Sequence, residues 1–244
     1  MAHQIACSLR PAAAFLLTAL VAVSVNAQSS DYYQPLNQRT PLGQTAGWLT
    51  HVHGDQSMWL QPVLIEVPGG GEVSVYSGAG EPRAITASPA MVAVNAGHTY
   101  RLRLSSMAEF PDAELYPSIE ILDRLHPPAG NENRYPIPVP FSRGDIQQAL
   151  AGRLVTRVIY LEQPQLAQQL DPLKREIPQS VLPSENALQE ADRLGRPMII
   201  VRIGGRRPSR FHTSSMFFGT GGAVQMRASD EQPPRVTRTA LSVR

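Results

Sequence analysis

One stretch, YPIPVPFSRGDIQQALAGRLVTRVIYLE from Tyr135 to Glu162, restricts the fold more than any other part of this 244-residue chain. Pro136, Pro138 and Pro140 alternate with Ile137, Val139 and Phe141. In an extended strand, alternate side chains share a face and alternate N–H groups share an edge. The three apolar residues therefore face one way, and the prolines strip every donor from one edge. Such a strand pairs on its other edge only, which predicts an edge strand protected against further pairing. A polyproline ligand is the rival reading, but P-x-P-x-P lacks the P-x-x-P period that aromatic grooves read.

Ser142 and Asp145 follow at capping-box spacing, which predicts a short helix over 143–151. Ile146, Ala149 and Leu150 would form its apolar stripe, and Gly152 would supply the left-handed turn that ends it. The run from Leu154 to Leu161 is β-branched and aromatic, and apolar on both faces except at Thr156 and Arg157. That pattern predicts a strand buried on both sides at the centre of a sheet.

Further strands read from alternation. QPVLIEV and EVSVYS flank the PGGG of Pro68–Gly71, which predicts a hairpin on a glycine-rich loop. MVAVN and TYRLRL are joined by Asn95–His98, then SIEIL places Ile119 and Ile121 on one face. From Ser184, read as a cap, the residues Ala187, Leu188, Ala191 and Leu194 form a helical stripe that Gly195 terminates. Arg196-Pro197 stops that helix, and Met198–Ile203 is a strong last strand. About seven strands at these spacings, with two short helices near 143–151 and 185–194, predict a mainly β fold. The expected form is an antiparallel β-sandwich, Ig-like or jelly-roll-like.

The amino terminus indicates an address. A weakly basic start, an apolar run over Ala12–Val25 and the small residues of Val25-Asn26-Ala27 predict a signal peptide cut after residue 27, with an uncleaved anchor as the alternative. The run is shorter than the ~20 residues a membrane-spanning helix needs. Cys7 precedes the apolar run, so the exported chain would hold no cysteine, no disulfide and no Cys-ligated metal. The expected divisions are a signal peptide at 1–27, a polar lead-in at 28–57, the β domain at 58–205 and a basic, largely disordered tail at 206–244. From Arg202 onward, eight arginines stand against Asp230 and Glu231, a local charge of +6 in a chain of net +2. Such a tail suits lipid A phosphates, acidic polysaccharide or nucleic acid. Aromatic residues are not interleaved with its arginines after Phe218, so it reads as a solvated chain end, and export argues against nucleic acid.

The phrases VNAGHTYRLRLS, ELYPSIEIL with DRLHPP, and the opening stretch itself resemble a group of exported bacterial proteins of the cell envelope. The resemblance covers about the middle half of the exported chain. It implies an envelope-associated module and carries neither an activity nor a functional residue.

One segment looks like chemistry. THVHGDQS, followed later by GHT, resembles the H-x-H-x-D-H signature of metallo-β-lactamase-type hydrolases, which hold zinc and activate water. His51, His53 and Asp55 match it, His98 is a candidate fourth ligand, and Gln56 stands where the last histidine belongs. A lesser version keeps a metal site without hydrolysis, with His51 and His53 facing the same way on an extended segment. No G-x-S-x-G and no phosphate loop occurs, and GTGG at 219–222 lacks the lysine that would follow. Tyr32, Tyr33, Trp48 and Trp59 would suit a sugar-binding platform, although tryptophans more readily fill a core. The reading that results is a cofactor-free structural or interaction module partnered by an envelope protein or polysaccharide, with the metal-dependent hydrolase or metal binder as the alternative.

Overall fold

The prolines at 136, 138 and 140 do what their spacing requires. The computed structural model describes residues 36–54, 59–165, 179–182, 184–209, 215–227 and 240–243. Within it the strand Ile137–Pro140 lies at the edge of a four-stranded sheet and pairs with one neighbour, Leu60–Glu66. The Phe141 N–H reaches Glu66 O at 2.8 Å, so the odd-numbered donors serve the pairing and the prolines face outward. Ile137, Val139 and Phe141 are all buried.

In chain order the described strands begin with β1 (Leu60–Glu66), β2 (Glu72–Tyr76), β3 (Pro82–Ala87) and β4 (Ala90–Asn95). They continue with β5 (Thr99–Ser105), β6 (Ser118–Ile121), β7 (Ile137–Pro140) and β8 (Val155–Glu162). The last four are β9 (Gln179–Val181), β10 (Gly195–Ile203), β11 (Val224–Met226) and β12 (Ala240–Val243). Helices are α1 (Gln44–His53), α2 (Arg143–Leu150), α3 (Ala187–Leu194) and the single turn α4 (Ser215–Phe218). One sheet has the order β11-β4-β1-β7, and the other β3-β2-β5-β6-β10-β8-β12-β9. The fold is mainly β and its sheets are mixed, because β1–β7 and β9–β12 pair in parallel where antiparallel pairing was expected throughout.

The two sheets share one aliphatic core. Val63 and Ile65 of β1, Val92 and Val94 of β4, and Ile137 and Val139 of β7 cluster with Leu102 and Leu104 of β5, Ile119 and Ile121 of β6, and Ile199 and Val201 of β10. The far face of the larger sheet is covered too. Val158, Tyr160 and Ile200 pack there against Ala46 of α1 and Ala187, Leu188 and Ala191 of α3. This double cover explains why β8 is buried along most of its length, as its composition required.

Several expectations are corrected. The PGGG run does not close a hairpin: β1 lies in the smaller sheet, and β2 pairs with β3 and β5 in the larger. Gly69, Gly70 and Gly71 all have positive φ, and a Cβ on Gly71 would stand 2.9 Å from Ser105 O. The glycines thus carry the chain between sheets, tight against the end of β5. β3 escaped the sequence pattern because its residues are mostly part-exposed and weakly alternating.

The two inserted helices form, with changes at their ends. α2 has the full Ser142–Asp145 capping box, and Gly152 has φ 79°, but Leu150 is exposed and not part of the buried stripe. α3 is capped by Asn186, not Ser184: the Asn186 side chain accepts from the Leu188 and Gln189 amides at 3.1 and 3.2 Å. Gly195 ends α3 in extended backbone and opens β10, and a Cβ there would strike Leu161 O. Close approach to β8, not a left-handed turn, demands that glycine.

The segments on either side of the β domain also carry structure. Residues 44–53 of the lead-in form α1. In the tail, α4 packs on β5, β11 pairs with β4, and β12 sits between β8 and β9. The signal-peptide region and residues 228–239 lie outside the described residues.

Candidate functional site

Of the metal candidates His51, His53, Asp55 and His98, the side chains of His51 and His98 are described. His51 lies on α1 and not on an extended segment. The same-facing arrangement expected of residues two apart holds for an extended segment, not for a helix. His51 is exposed, and its Nδ1 donates to Gly47 O at 2.8 Å, one turn back. His98, in the β4–β5 connection, uses Nδ1 on Ala96 O at 3.0 Å. Asp55 and the side chain of His53 lie outside the described residues. Among the described residues no three His, Cys, Asp or Glu side chains gather.

Glu114 and Glu120 belong to separate ion pairs. Glu114 meets Arg103 at 3.6 Å, and Glu120 meets Arg202 at 2.7 Å. The two polar residues that interrupt β8 are buried, and one of them has a partner that sequence spacing did not reveal. Arg157 lies 2.7 Å from Asp145 of α2 and donates to Ser142 Oγ at 3.2 Å and Pro140 O at 3.3 Å. These groups hold the fold together. Their hydrogen-bonding capacity is directed inward, at other parts of the chain.

What faces outward is aromatic. Trp48 and Trp59 do not fill the core: they are 59% and 54% exposed. The core is closed by aliphatic side chains from both sheets, which leaves the two indoles at its margins. Trp48 shares a helix face with Val52, four residues on and also exposed.

Trp59 is the better anchored of the two. It immediately precedes β1, and its carbonyl accepts from Asn95 Nδ2 at 3.1 Å. Asn95 is buried, and its Oδ1 accepts from the Ala223 amide at 2.7 Å, which ties the spot to the residue before β11. The Arg124 guanidinium lies 4.5 Å from the centroid of the Trp59 ring, a cation–π contact. Arg124 belongs to the segment after β6, which is fixed in three ways. Its amide donates to Asp123 Oδ1 at 2.8 Å, and its carbonyl accepts from Arg196 Nη2 at 3.3 Å. The next amide, Leu125, donates to buried Gln61 at 2.6 Å.

Charge at this spot is predominantly positive. Arg196 pairs with Asp123 at 3.3 Å, while Arg124 has no carboxylate within ion-pair distance among the described residues. His126 is held below the ordinary histidine pKa, first by burial and then by the charges of Arg124 and Arg196. The arrangement offers an indole, guanidinium donors and a neutral imidazole, a set suited to stacking and hydrogen bonding. The pattern around Gln61, Asn95 and Arg124 escaped sequence reading because each is a lone polar residue in a strand or loop, and only the fold brings them to Trp59. Compared with known proteins, the chain matches no family model, no curated protein and no solved structure.

Proposed function

We propose that the chain is an exported, non-catalytic interaction module of the cell envelope, built as a β-sandwich and partnered by an envelope polysaccharide. The observation that carries this reading is the exposed Trp59 with Arg124 on its ring. An indole at more than half exposure loses apolar contact to water unless something covers it, and sugar C–H faces stack well on such rings. Arg124 and Arg196 add donors for hydroxyl and acidic groups at the rim. The sandwich reading is supported by the core shared between the two sheets. The address is supported by the apolar run that ends in Val25-Asn26-Ala27. Among the described residues no helix is long and apolar enough to cross a membrane.

Fractionation tests the address: full-length protein in the cytoplasm with residues 1–27 retained refutes it. Tryptophan fluorescence tests the partner. Soluble fragments of the envelope polysaccharide should shift the emission of the native protein, and Trp59→Ala should remove most of that response without lowering the melting temperature. An unchanged response in Trp59→Ala refutes the platform.

A further inference from the structure

Arg101 is a buried cation that meets no anion among the described residues. It stands on the outer face of β5 and is 7% exposed. Its Nε donates to Phe217 O at 2.7 Å, its Nη1 donates to Tyr116 O at 3.0 Å, and its guanidinium lies 4.4 Å from the Phe217 ring centroid. These contacts clamp α4 onto the larger sheet. All of them are to neutral groups. Arg103, two residues along on the same face, is neutralised by Glu72 at 3.0 Å and Glu114 at 3.6 Å. Among the described residues no carboxylate stands within ion-pair distance of Arg101.

A second unpaired cation lies beside it. Arg206, just beyond β10, places its guanidinium 5.7 Å from the centroid of the same Phe217 ring, again with no carboxylate partner among the described residues. The two charges feel one another: burial, and then the charge of Arg206, depress the pKa of Arg101 below its ordinary value. A buried charge is tolerated when an opposite charge or strong acceptors offset it, and a second like charge worsens its position. The clamp accounts for Nε and Nη1 of Arg101. Among the described residues Nη2 makes no hydrogen bond.

We propose that Arg101 and Arg206 form a binding site for a phosphoryl oxyanion, carried by free phosphate or by an anionic lipid headgroup. A planar carboxylate matches a single guanidinium fork. Two forks set around one aromatic ring suit a tetrahedral group with oxygens to offer in both directions. Both guanidinium groups contact the Phe217 ring, and among the described residues no acidic side chain stands within ion-pair distance of either. This inference goes beyond the tryptophan platform and does not rest on it.

Calorimetric titration of the native protein with sodium phosphate, at constant ionic strength against sodium chloride, tests the site. Saturable one-site binding is expected, together with a rise in melting temperature. Arg206→Ala, at an exposed position, should keep the phosphate-free melting temperature while weakening phosphate binding by about tenfold or more. Arg101→Lys keeps the charge without the fork and should weaken it too; if that variant does not fold, Arg206→Ala alone decides. Co-sedimentation separates the sources. Capture by phosphatidylglycerol vesicles that is competed by phosphate and lost in Arg206→Ala identifies a headgroup, whereas phosphate binding without capture identifies the free ion. Absence of saturable phosphate binding, or equal binding by Arg206→Ala, overturns the proposal.

Discussion

Glu120 of β6 and Arg202 of β10 form an ion pair of 2.7 Å in which the glutamate is fully buried. The second Glu120 oxygen accepts the Ala46 amide at 2.9 Å, and Arg202 Nη2 donates to Thr40 O at 3.1 Å. A single pair thus holds both the approach to α1 and its first turn against the larger sheet. The helix needs this, because Gly43 at its N-cap offers no side-chain acceptor for the orphan amides. A carboxylate at that end also complements the helix dipole.

Removing the charge should expose that dependence. Glu120→Gln leaves Arg202 without its buried counter-ion, and breaking such a pair typically costs about 3–5 kcal/mol. Urea denaturation followed by circular dichroism measures it. A loss below about 1 kcal/mol, the range of a surface pair, shows that the pair does not anchor α1.

Asp145 serves two structures at once, the capping box of α2 and the buried pair with Arg157. Ser142→Ala removes a cap contact and should cost about 1 kcal/mol. Asp145→Asn keeps an acceptor for the cap but strands the Arg157 charge, and should cost about 3–5 kcal/mol. Equal losses in the two variants would assign all of the stabilisation to the cap.

Centre and edge should respond differently to truncation. Ile159 is buried in β8, between β10 and β12, so Ile159→Ala should lose about 2–5 kcal/mol through lost transfer energy and a residual cavity. Pro138→Ala, on the outer edge of β7, should leave the melting temperature nearly unchanged and restore an amide donor there. Sedimentation velocity should then detect more self-association. An unchanged melting temperature for Ile159→Ala, or a collapsed one for Pro138→Ala, contradicts the strand order.

Alkaline titration should report Tyr100. Its phenol is fully buried, accepts the Asn95 amide at 2.9 Å and donates to Ala223 O at 3.1 Å. Burial raises its pKa above the ordinary phenol value, more than the Asn95 contact lowers it. The folded pKa lies above the unfolded one, so the contribution to stability is whole below about pH 10 and is lost as pH climbs toward the folded value. In that window the unfolded chain has released a proton that the folded chain still holds. Stability should fall by about 1.4 kcal/mol per pH unit for this one group. Tyr100→Phe should flatten that slope by a measurable share, and an identical slope in the variant removes Tyr100 from the account.

Much of the local structure was legible in the residues themselves. The Ser142–Asp145 cap, the left-handed Gly152, the donor-free edge of β7 and the doubly buried β8 follow from neighbours a few positions apart. Side-chain period, missing amides and cap geometry are short-range properties, and the chain states them directly. Sheet membership is different. Positive φ at Gly69–Gly71 serves a hairpin and a crossing between sheets equally well, and only the long-range backbone pairing of β1 with β4 and β7 chose the crossing. The same limit applied to the site. Glu120 and Arg202 are 82 positions apart, and the Trp59–Arg124 contact joins strand end to loop. The tryptophans are exposed because aliphatic side chains from two sheets had already closed the core, and that outcome exists only once the sheets are packed.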